Sequence, residues 1–552
     1  MSIGGAIDTP EVRKARGAFF TPGEVTEFMC AWAIRDESDR VLEPSTGDAA
    51  FLVSAVRRLR GLSDDRSMSP VVDGVEIHEP SAQTARERVR AAGGEARIRV
   101  SDFFMVRATP TYDAVVGNPP YIRFQDFAGE SRLRARAAAL KGGVALTGLA
   151  SSWAAFVIHS ALFLRDGGRL ALVLPAELLS VNYASPIRSF LLESFENVEL
   201  VLFEEQVFPQ AEADVVLLLA DGFRLGPTSH AIIRQARNAA DLSVLGVGEP
   251  WAPRDPADKW TGSLVPAITI DRLRELAEGG SFTSLDEWGD TTLGIVTGNN
   301  SYFCLSPERA GDLGIDDDEL LRLSPPGSGH LRGLELSVEQ LDELGRQGKS
   351  TRLFYPSETP SRRADQYIEA GSRTGVDLAY KCRVRRVWYR VPIVAPADLL
   401  LTYMNADTPR LVANEARAHH LNSVHGVYLK SARRQIGCEL LPLASLNSVT
   451  MMSAELVGRA YGGGILKLEP KEADQWMMPS LSLVEERAGA LRAIKGDVAS
   501  ALDRGDLAGA VTAVDRVLLS DSGVLSGAGV DAARAAYETL ARRRKVRGAS
   551  GR

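Results

Sequence analysis

Val41-Leu42-Glu43-Pro44-Ser45-Thr46-Gly47-Asp48-Ala49-Ala50-Phe51-Leu52 reads as the end of a strand, a turn of small residues and the opening of a helix. Small residues let the backbone come close to a ligand. The stretch lacks the GxGxxG spacing of a hydride-cofactor loop and the lysine of a Walker loop, so neither class is supported. Outward from it, the first 220 residues alternate apolar strands at 40–42, 74–77, 98–100, 114–116, 170–174, 198–203 and 215–220 with helices at 22–34, 50–59, 81–92, 152–164 and 185–193. That alternation predicts a mostly parallel sheet covered on both faces, with ligands at the C-terminal strand ends.

An acid stands at the end of three successive strands: Glu43, Glu76 and Asp102, the last followed by Phe103. Glu76 is placed to meet ribose hydroxyls and Asp102-Phe103 to accept from an adenine amine and pack on its ring; solvated strand ends are the plain alternative. The fourth strand runs into Asn118-Pro119-Pro120-Tyr121. Two prolines remove two N–H donors and fix φ, leaving a rigid turn with free acceptors. The Asn118 side-chain oxygen and the Pro119 carbonyl can accept the two hydrogens of a planar NH2 group, and Tyr121 can stack on it. The nitrogen lone pair is then turned toward an electrophile. A tight loop after a strand is the structural alternative.

Phe19-Phe20-Thr21-Pro22, EPSTGDAAF at 43–51, a strand-end Glu, Asp102-Phe103 and NPPY, in this order, resemble the gamma-class N6-adenine DNA methyltransferases of bacterial restriction–modification systems. The resemblance covers about residues 15–220. It implies an α/β architecture: a Rossmann-like class I methyltransferase domain at 1–225, a connection at 226–289, a mixed α/β target-recognition domain at 290–478 and a helical C-terminal segment at 479–552. It further implies S-adenosyl-L-methionine as cofactor, held by Phe20, Thr21, Glu43, Ser45, Gly47, Glu76, Ile77, Asp102, Phe103 and Asn118. Glu43 falls near the methionine amine. Asn118, Pro119, Pro120 and Tyr121 would hold the target adenine. Val207-Phe208-Pro209-Gln210 resembles a later motif whose Phe, here Phe208, stacks on the other face of the flipped base; a core Phe between two strands is the alternative. Ala49 stands where the family often has Gly, and its methyl is tolerable there if φ is negative.

The chain has 552 residues, 45% apolar and 24% charged, and a formal net charge of −7. A strongly acidic total argues against nucleic-acid binding over the whole surface but allows a local basic cleft. Residues 381–434 hold ten Lys/Arg against three acids, while 308–349 hold ten acids and five bases. KCRVRRVWYRVP at 381–392 and AYGGGILKLEP at 460–470 resemble parts of target-recognition domains. Arg383, Arg385, Arg386, Trp388, Tyr389 and Lys467, with Arg123 beside NPPY, are the expected DNA contacts; a basic strand with an aromatic core face is the alternative. His419, His420 and His425 lack a Cys or carboxylate at ligand spacing and read as structural, so no metal is expected. Arg542–Arg547 reads as a solvated helix end. No apolar run approaches the roughly 18 residues of a membrane span, and four dispersed cysteines fit a reducing cytoplasm. The expected partner is double-stranded DNA, with a cognate restriction endonuclease or defence-system proteins as companions, no membrane, and a monomer at the methylation step. A protein glutamine N5-methyltransferase uses the same NPPY chemistry, and a non-catalytic DNA specificity subunit is a third reading. The upstream FTP element and the long C-terminal region favour DNA over glutamine; the intact Asn118–Tyr121 set favours catalysis.

Overall fold

The computed structural model describes residues 21–65, 67–122, 126–148, 150–205, 207–208, 215–461 and 463–549. They form two compact units, one reaching to Leu264 and one spanning Val265–Gly548.

The first unit is built on a nine-stranded sheet. Its strands are β1 (Val41–Glu43), β2 (Val71–Glu76), β3 (Glu95–Val100), β4 (Tyr112–Gly117), β5 (Leu164–Pro175), β6 (Phe195–Phe203), β7 (Val215–Phe223), β8 (Ala231–Ala236) and β9 (Glu249–Trp251), in the order β3-β2-β1-β4-β5-β7-β6-β8-β9. Strands β3 to β5 are all parallel to their neighbours in that order, and β7 is inserted antiparallel between β5 and β6. The helices are α1 (Gly23–Ala33), α2 (Ala50–Leu62), α3 (Glu79–Ala91), α4 (Gly129–Lys141), α5 (Ser152–Ala161) and α6 (Ser185–Ser194). From Leu170 to its end, β5 is apolar and buried at every position. Such an unbroken apolar run belongs to a central strand with both faces covered.

After β1 the chain moves outward to β2 and β3, then returns to place β4 on the other side of β1. Leu42 pairs with Asp73 on one side and Val115 on the other. The crevice above the C-terminal ends of β1 and β4 is therefore a topological switch point, where open α/β sheets bind ligands. At the opposite ends of these strands two acids are held by arginines. Asp39 accepts both of its hydrogen bonds to Arg169 at 3.0 Å inside the protein, and Asp113 meets Arg165 at 2.5 Å.

Residues 226–289, expected as a connection, carry β8 and β9 on the sheet's far edge, and the division between units falls within them at 264/265. Helix α4 is a further element that the sequence pattern did not announce. Its buried face is made of Ala135, Ala138 and Ala139, too weakly apolar to mark a helical period in the sequence.

The second unit holds a four-stranded antiparallel sheet, with β10 (Gly289–Leu293), β13 (Val424–Leu429), β11 (Leu399–Thr402) and β12 (Leu411–Ala413) side by side in that order. Two small three-stranded sheets accompany it, one at 304–354 and one pairing Met404–Asn405 with the hairpin Arg459–Tyr461 and Ile465–Lys467. Helices α7 (Arg434–Ala444), α8 (Ser448–Val457), α9 (Ala488–Asp503), α10 (Leu507–Asp515) and α11 (Gly527–Ala549) follow. The basic tail is solvated only in part, Arg542 and Lys545 being exposed. Arg543 and Arg544 are buried, and Arg544 meets the Glu455 carboxylate at 2.7 Å while donating to the carbonyls of Asp407 and Gly464. A guanidinium can be buried there because a carboxylate and backbone acceptors meet its fork.

Candidate functional site

Asn118 follows the last residue of β4 and lies across the switch point from Ser45, whose hydroxyl donates to the Asn118 carbonyl at 3.3 Å. The Asn118 side chain is held at both ends. Its Nδ2 donates to Thr21 Oγ1 at 3.2 Å, and its Oδ1 accepts from the Tyr121 hydroxyl at 2.7 Å. That hydroxyl has a second acceptor in the Val173 carbonyl at 3.0 Å, on β5. Burial pushes the Tyr121 phenol well above its ordinary value, so it keeps the proton it donates. The turn itself is braced by Ser152, at the start of α5. Its hydroxyl donates to the Pro120 carbonyl and accepts from Ile122 N–H at 2.9 Å, and its own N–H donates to the Ile122 carbonyl at 3.1 Å. Sequence reasoning missed Ser152; its only signal was a Ser-Ser pair opening an apolar helix.

On the β1 side, Glu43 is 3% exposed, with its Oε2 buried and without a hydrogen-bond partner among the described residues. Burial, and then the charge of Asp48, push its carboxyl well above the usual carboxylate range. An orphaned buried carboxylate oxygen is costly, and at a ligand crevice it suits a cationic group. Glu76 ends β2 and holds the loop: Gly47 N–H donates to its Oε2 at 2.8 Å and His78 N–H to its Oε1 at 2.9 Å. The loop lies close on β2, since a Cβ at Gly74 would fall 2.3 Å from Thr46 Cγ2. Beside Glu76, Ile77 is 67% exposed, an apolar surface available to a flat ring. Asp102 caps the turn after β3 through Phe104 N–H at 3.0 Å and pairs with Arg134 at 3.5 Å. These groups fit a ligand with a cationic amine, a ribose and an adenine.

Three expectations meet a different placement. The Phe103 ring is 3% exposed, stacked on Phe156 at 5.2 Å and Phe163 at 5.3 Å, and so is packed in the core. Phe208 is 3% exposed within the same apolar cluster as Val25, Met29 and Val207, against which Tyr121 also packs. Ala49 has φ +66°, in the left-handed region, rather than the negative φ expected; its methyl is fully buried, and that packing offsets the strain. Phe20 and Arg123 lie outside the described residues.

In the second unit, 381–392 is not a strand but a helical turn (Tyr380–Arg383) and the loops after it. Arg385 is spent internally, its guanidinium donating to the carbonyls of Val296 at 2.9 Å, Thr297 at 2.7 Å and Trp388 at 3.2 Å. Trp388 and Tyr389 pack on a core that includes Tyr302 and Phe303, and Lys467 is tied to Glu469 at 2.7 Å. Arg383 and Arg386 are exposed, beside the exposed side chains of Tyr380, Lys381 and Val384. His419, His420 and His425 are buried around the four-stranded sheet, with His419 hydrogen-bonded to the Val394 carbonyl and His425 to that of Leu468.

Sheet order and strand-end chemistry define a class I S-adenosylmethionine-dependent methyltransferase fold. The model of the N-6 DNA Methylase family matches residues 8–226, and that of the C-terminal domain of Type II methyltransferase M.Eco57I matches residues 257–519. The Type II methyltransferase M.AccI of Acinetobacter calcoaceticus is 24% identical over 489 residues, covering 86% of this chain and 88% of its own. The Type II methyltransferase M.XamI of Xanthomonas campestris pv. amaranthicola is 27% identical over 489 residues, covering 84% and 85%. Among solved structures, the Type IIL restriction-modification enzyme MmeI aligns over 94% of this chain and 75% of its own at 12% identity, with a TM-score of 0.56, a likeness of fold. Residues 8–226 thus match the N-6 DNA methylase family, the chain is similar to Type II methyltransferases of restriction–modification systems along most of its length, and S-adenosyl-L-methionine is its cofactor.

Proposed function

We propose that the chain methylates the N6 amine of an adenine within a specific duplex DNA sequence. A paired adenine hides its amine in the stack, so the base must first be turned out of the helix. S-adenosyl-L-methionine supplies the electrophilic methyl group when bound. Asn118 Oδ1 and the Pro119 carbonyl then accept the two amine hydrogens and hold the nitrogen lone pair toward that methyl. The nitrogen forms the new bond to carbon, and the bonding pair stays with the departing sulfur. The methylated nitrogen then gives up one proton to solvent. Tyr121 contributes its ring as a stacking face, and the catalytic contribution is chiefly positioning. Glu43, Ser45, Gly47, Glu76, Ile77 and Asp102 hold the cofactor. Arg383 and Arg386, with Tyr380, Lys381 and Val384, form the DNA-facing surface of the second unit.

The observation that carries this reading is the Asn118 amide, clamped at the end of β4 directly across the switch point from the cofactor loop. The C-terminal unit favours DNA over a protein glutamine, whose amide the same turn could hold. Long-read sequencing of DNA from cells expressing the chain identifies the modified base and motif together. Asn118→Ala should abolish that modification while calorimetry shows cofactor affinity nearly unchanged. Wild-type methylation by the variant refutes the assignment.

A further inference from the structure

Resting on that reading, we infer that Ser152 is a positioning residue for the target base: by gripping the exit of the Asn118–Tyr121 turn it sets the angle between the Pro119 carbonyl and the Tyr121 ring. The two must agree. A planar amine is held by its hydrogens and stacked on a ring at once only when the acceptors lie near its own plane and the ring lies parallel to it. Most of the backbone between them is fixed without help. The pyrrolidine rings set φ of Pro119 and Pro120, and Asn118 and Pro119, each followed by a proline, are held to extended ψ. The rotation left free is ψ of Pro120, which turns Tyr121 relative to everything before it.

That rotation decides where the Pro120 carbonyl points, and this is the carbonyl that the Ser152 hydroxyl holds. The same hydroxyl accepts from Ile122 N–H at 2.9 Å, and Ser152 N–H donates to the Ile122 carbonyl at 3.1 Å. The sense of each bond is unambiguous, because a carbonyl only accepts and an amide N–H only donates. The residues on either side of Tyr121 are thus tied to Ser152. The Tyr121 hydroxyl anchors the far end of the ring, at Asn118 Oδ1 and the Val173 carbonyl, and Ser152 anchors the near end. With both ends held the long axis of the ring is set, and packing against the apolar cluster that includes Phe208 limits its spin.

The core places Ser152 itself. It opens α5, where the first N–H groups have no partner within the helix, which leaves its own N–H for Ile122. All ten residues of α5 are buried. Trp153, next to Ser152, is fully buried, and its indole N–H donates to the Tyr183 hydroxyl at 3.2 Å.

The test uses the full chain and duplex DNA carrying the motif found by sequencing. Ser152→Ala removes the hydroxyl and adds no bulk. It should lower kcat about tenfold, the loss of one hydrogen bond, with KM for DNA and the calorimetric Kd for S-adenosylmethionine within about twofold of wild type. A second readout separates positioning from stability. Stacking on an aromatic ring quenches 2-aminopurine, so this base at the target position should be brighter in the complex with Ser152→Ala. Ser151→Ala is the control. That hydroxyl accepts from Tyr183 and does not hold the turn, so kcat and emission should match wild type. A Ser152→Ala protein equal to wild type in both readouts overturns the inference. So does a loss shared by Ser151→Ala, which makes helix packing responsible, and so does a loss carried wholly by the cofactor Kd. Should Ser152→Ala not fold, Ser152→Cys, a weak donor of similar shape, is read in the same way, with a smaller loss of kcat expected. A wild-type chain that methylates no DNA refutes the proposed function; a methylating wild type matched by its Ser152 variants refutes this inference alone.

Discussion

Glu76 ties the cofactor loop to the end of β2, and changing its chemistry without its size makes a sharp test. Its two oxygens each accept a backbone N–H, from Gly47 at 2.8 Å and His78 at 2.9 Å. A carboxylate is acceptor on both sides. In Glu76→Gln one oxygen is retained, and the NH2 group confronts the second N–H, donor against donor. Leaving one such buried donor without a partner costs about 1–3 kcal/mol. The Gly47 turn, whose φ of +47° already sits in the left-handed region, is the part free to move away. Binding S-adenosylmethionine must then rebuild it. Glu76→Gln should therefore weaken the cofactor Kd by about 5- to 150-fold, nearly as much as Glu76→Ala, although Gln is the same size. Titration calorimetry reads the Kd, and a thermal melt of the cofactor-free protein separates any part lost as stability. A Gln variant binding within twofold of wild type refutes the argument that both oxygens are committed to backbone N–H groups.

Arg385→Ala should cost about 2 kcal/mol of stability in denaturant unfolding, because three carbonyls lose a charged donor; Arg383→Ala and Arg386→Ala should leave stability unchanged but each reduce the salt slope of DNA binding by about one unit. If Arg385→Ala alone changed the slope, the two roles would be exchanged. Burial, and then Lys349 for His330 and the neighbouring histidines for His420, lower both imidazoles to about 4. The unfolded chain then takes up protons first as pH falls below about 6.5. Stability is full above that pH and should decline by about 2–4 kcal/mol by pH 5, with His159, His419 and His425 shifted in the same sense. A flat profile from pH 7 to 5 would contradict it. Ala49→Gly should leave stability within about 1 kcal/mol of wild type, since relief of roughly 1–2 kcal/mol at positive φ is countered by chain entropy and a lost buried methyl; a loss above about 2 kcal/mol in denaturant unfolding speaks against strain there.

The strand, turn and helix at 41–62 were legible because burial on both faces writes a period into the chain, and because small residues and a strand-end acid interrupt it where a ligand fits. The same holds for Glu76 and Asn118, whose positions follow from where a strand must stop. Ring direction was not legible. Phe103 and Phe208 stand where the motifs expect them, but only the packing of Phe156, Phe163 and the α1 face decides that both rings turn inward. Nor does a run such as Arg383–Arg386 say which guanidinium will find two carbonyls from a loop some 90 residues earlier and a third at Trp388. Composition marks the surface as basic, and the partner of each charge is a property of the folded chain. The antiparallel insertion of β7 is likewise a choice of neighbour that no local period encodes.

The burial of Arg544 has a consequence for the order in which the protein is made. Its guanidinium closes on Glu455 and on the carbonyls of Asp407 and Gly464, so the second unit cannot complete that contact until residue 544 has been synthesised. The first unit needs nothing beyond Leu264 for its nine strands. At roughly 5–20 residues per second, the 280 residues between those points take on the order of 15–55 s. During that interval the cofactor sheet can close while the other half is still an open chain. A nascent protein can therefore form its methyl-donor pocket before its second unit is complete.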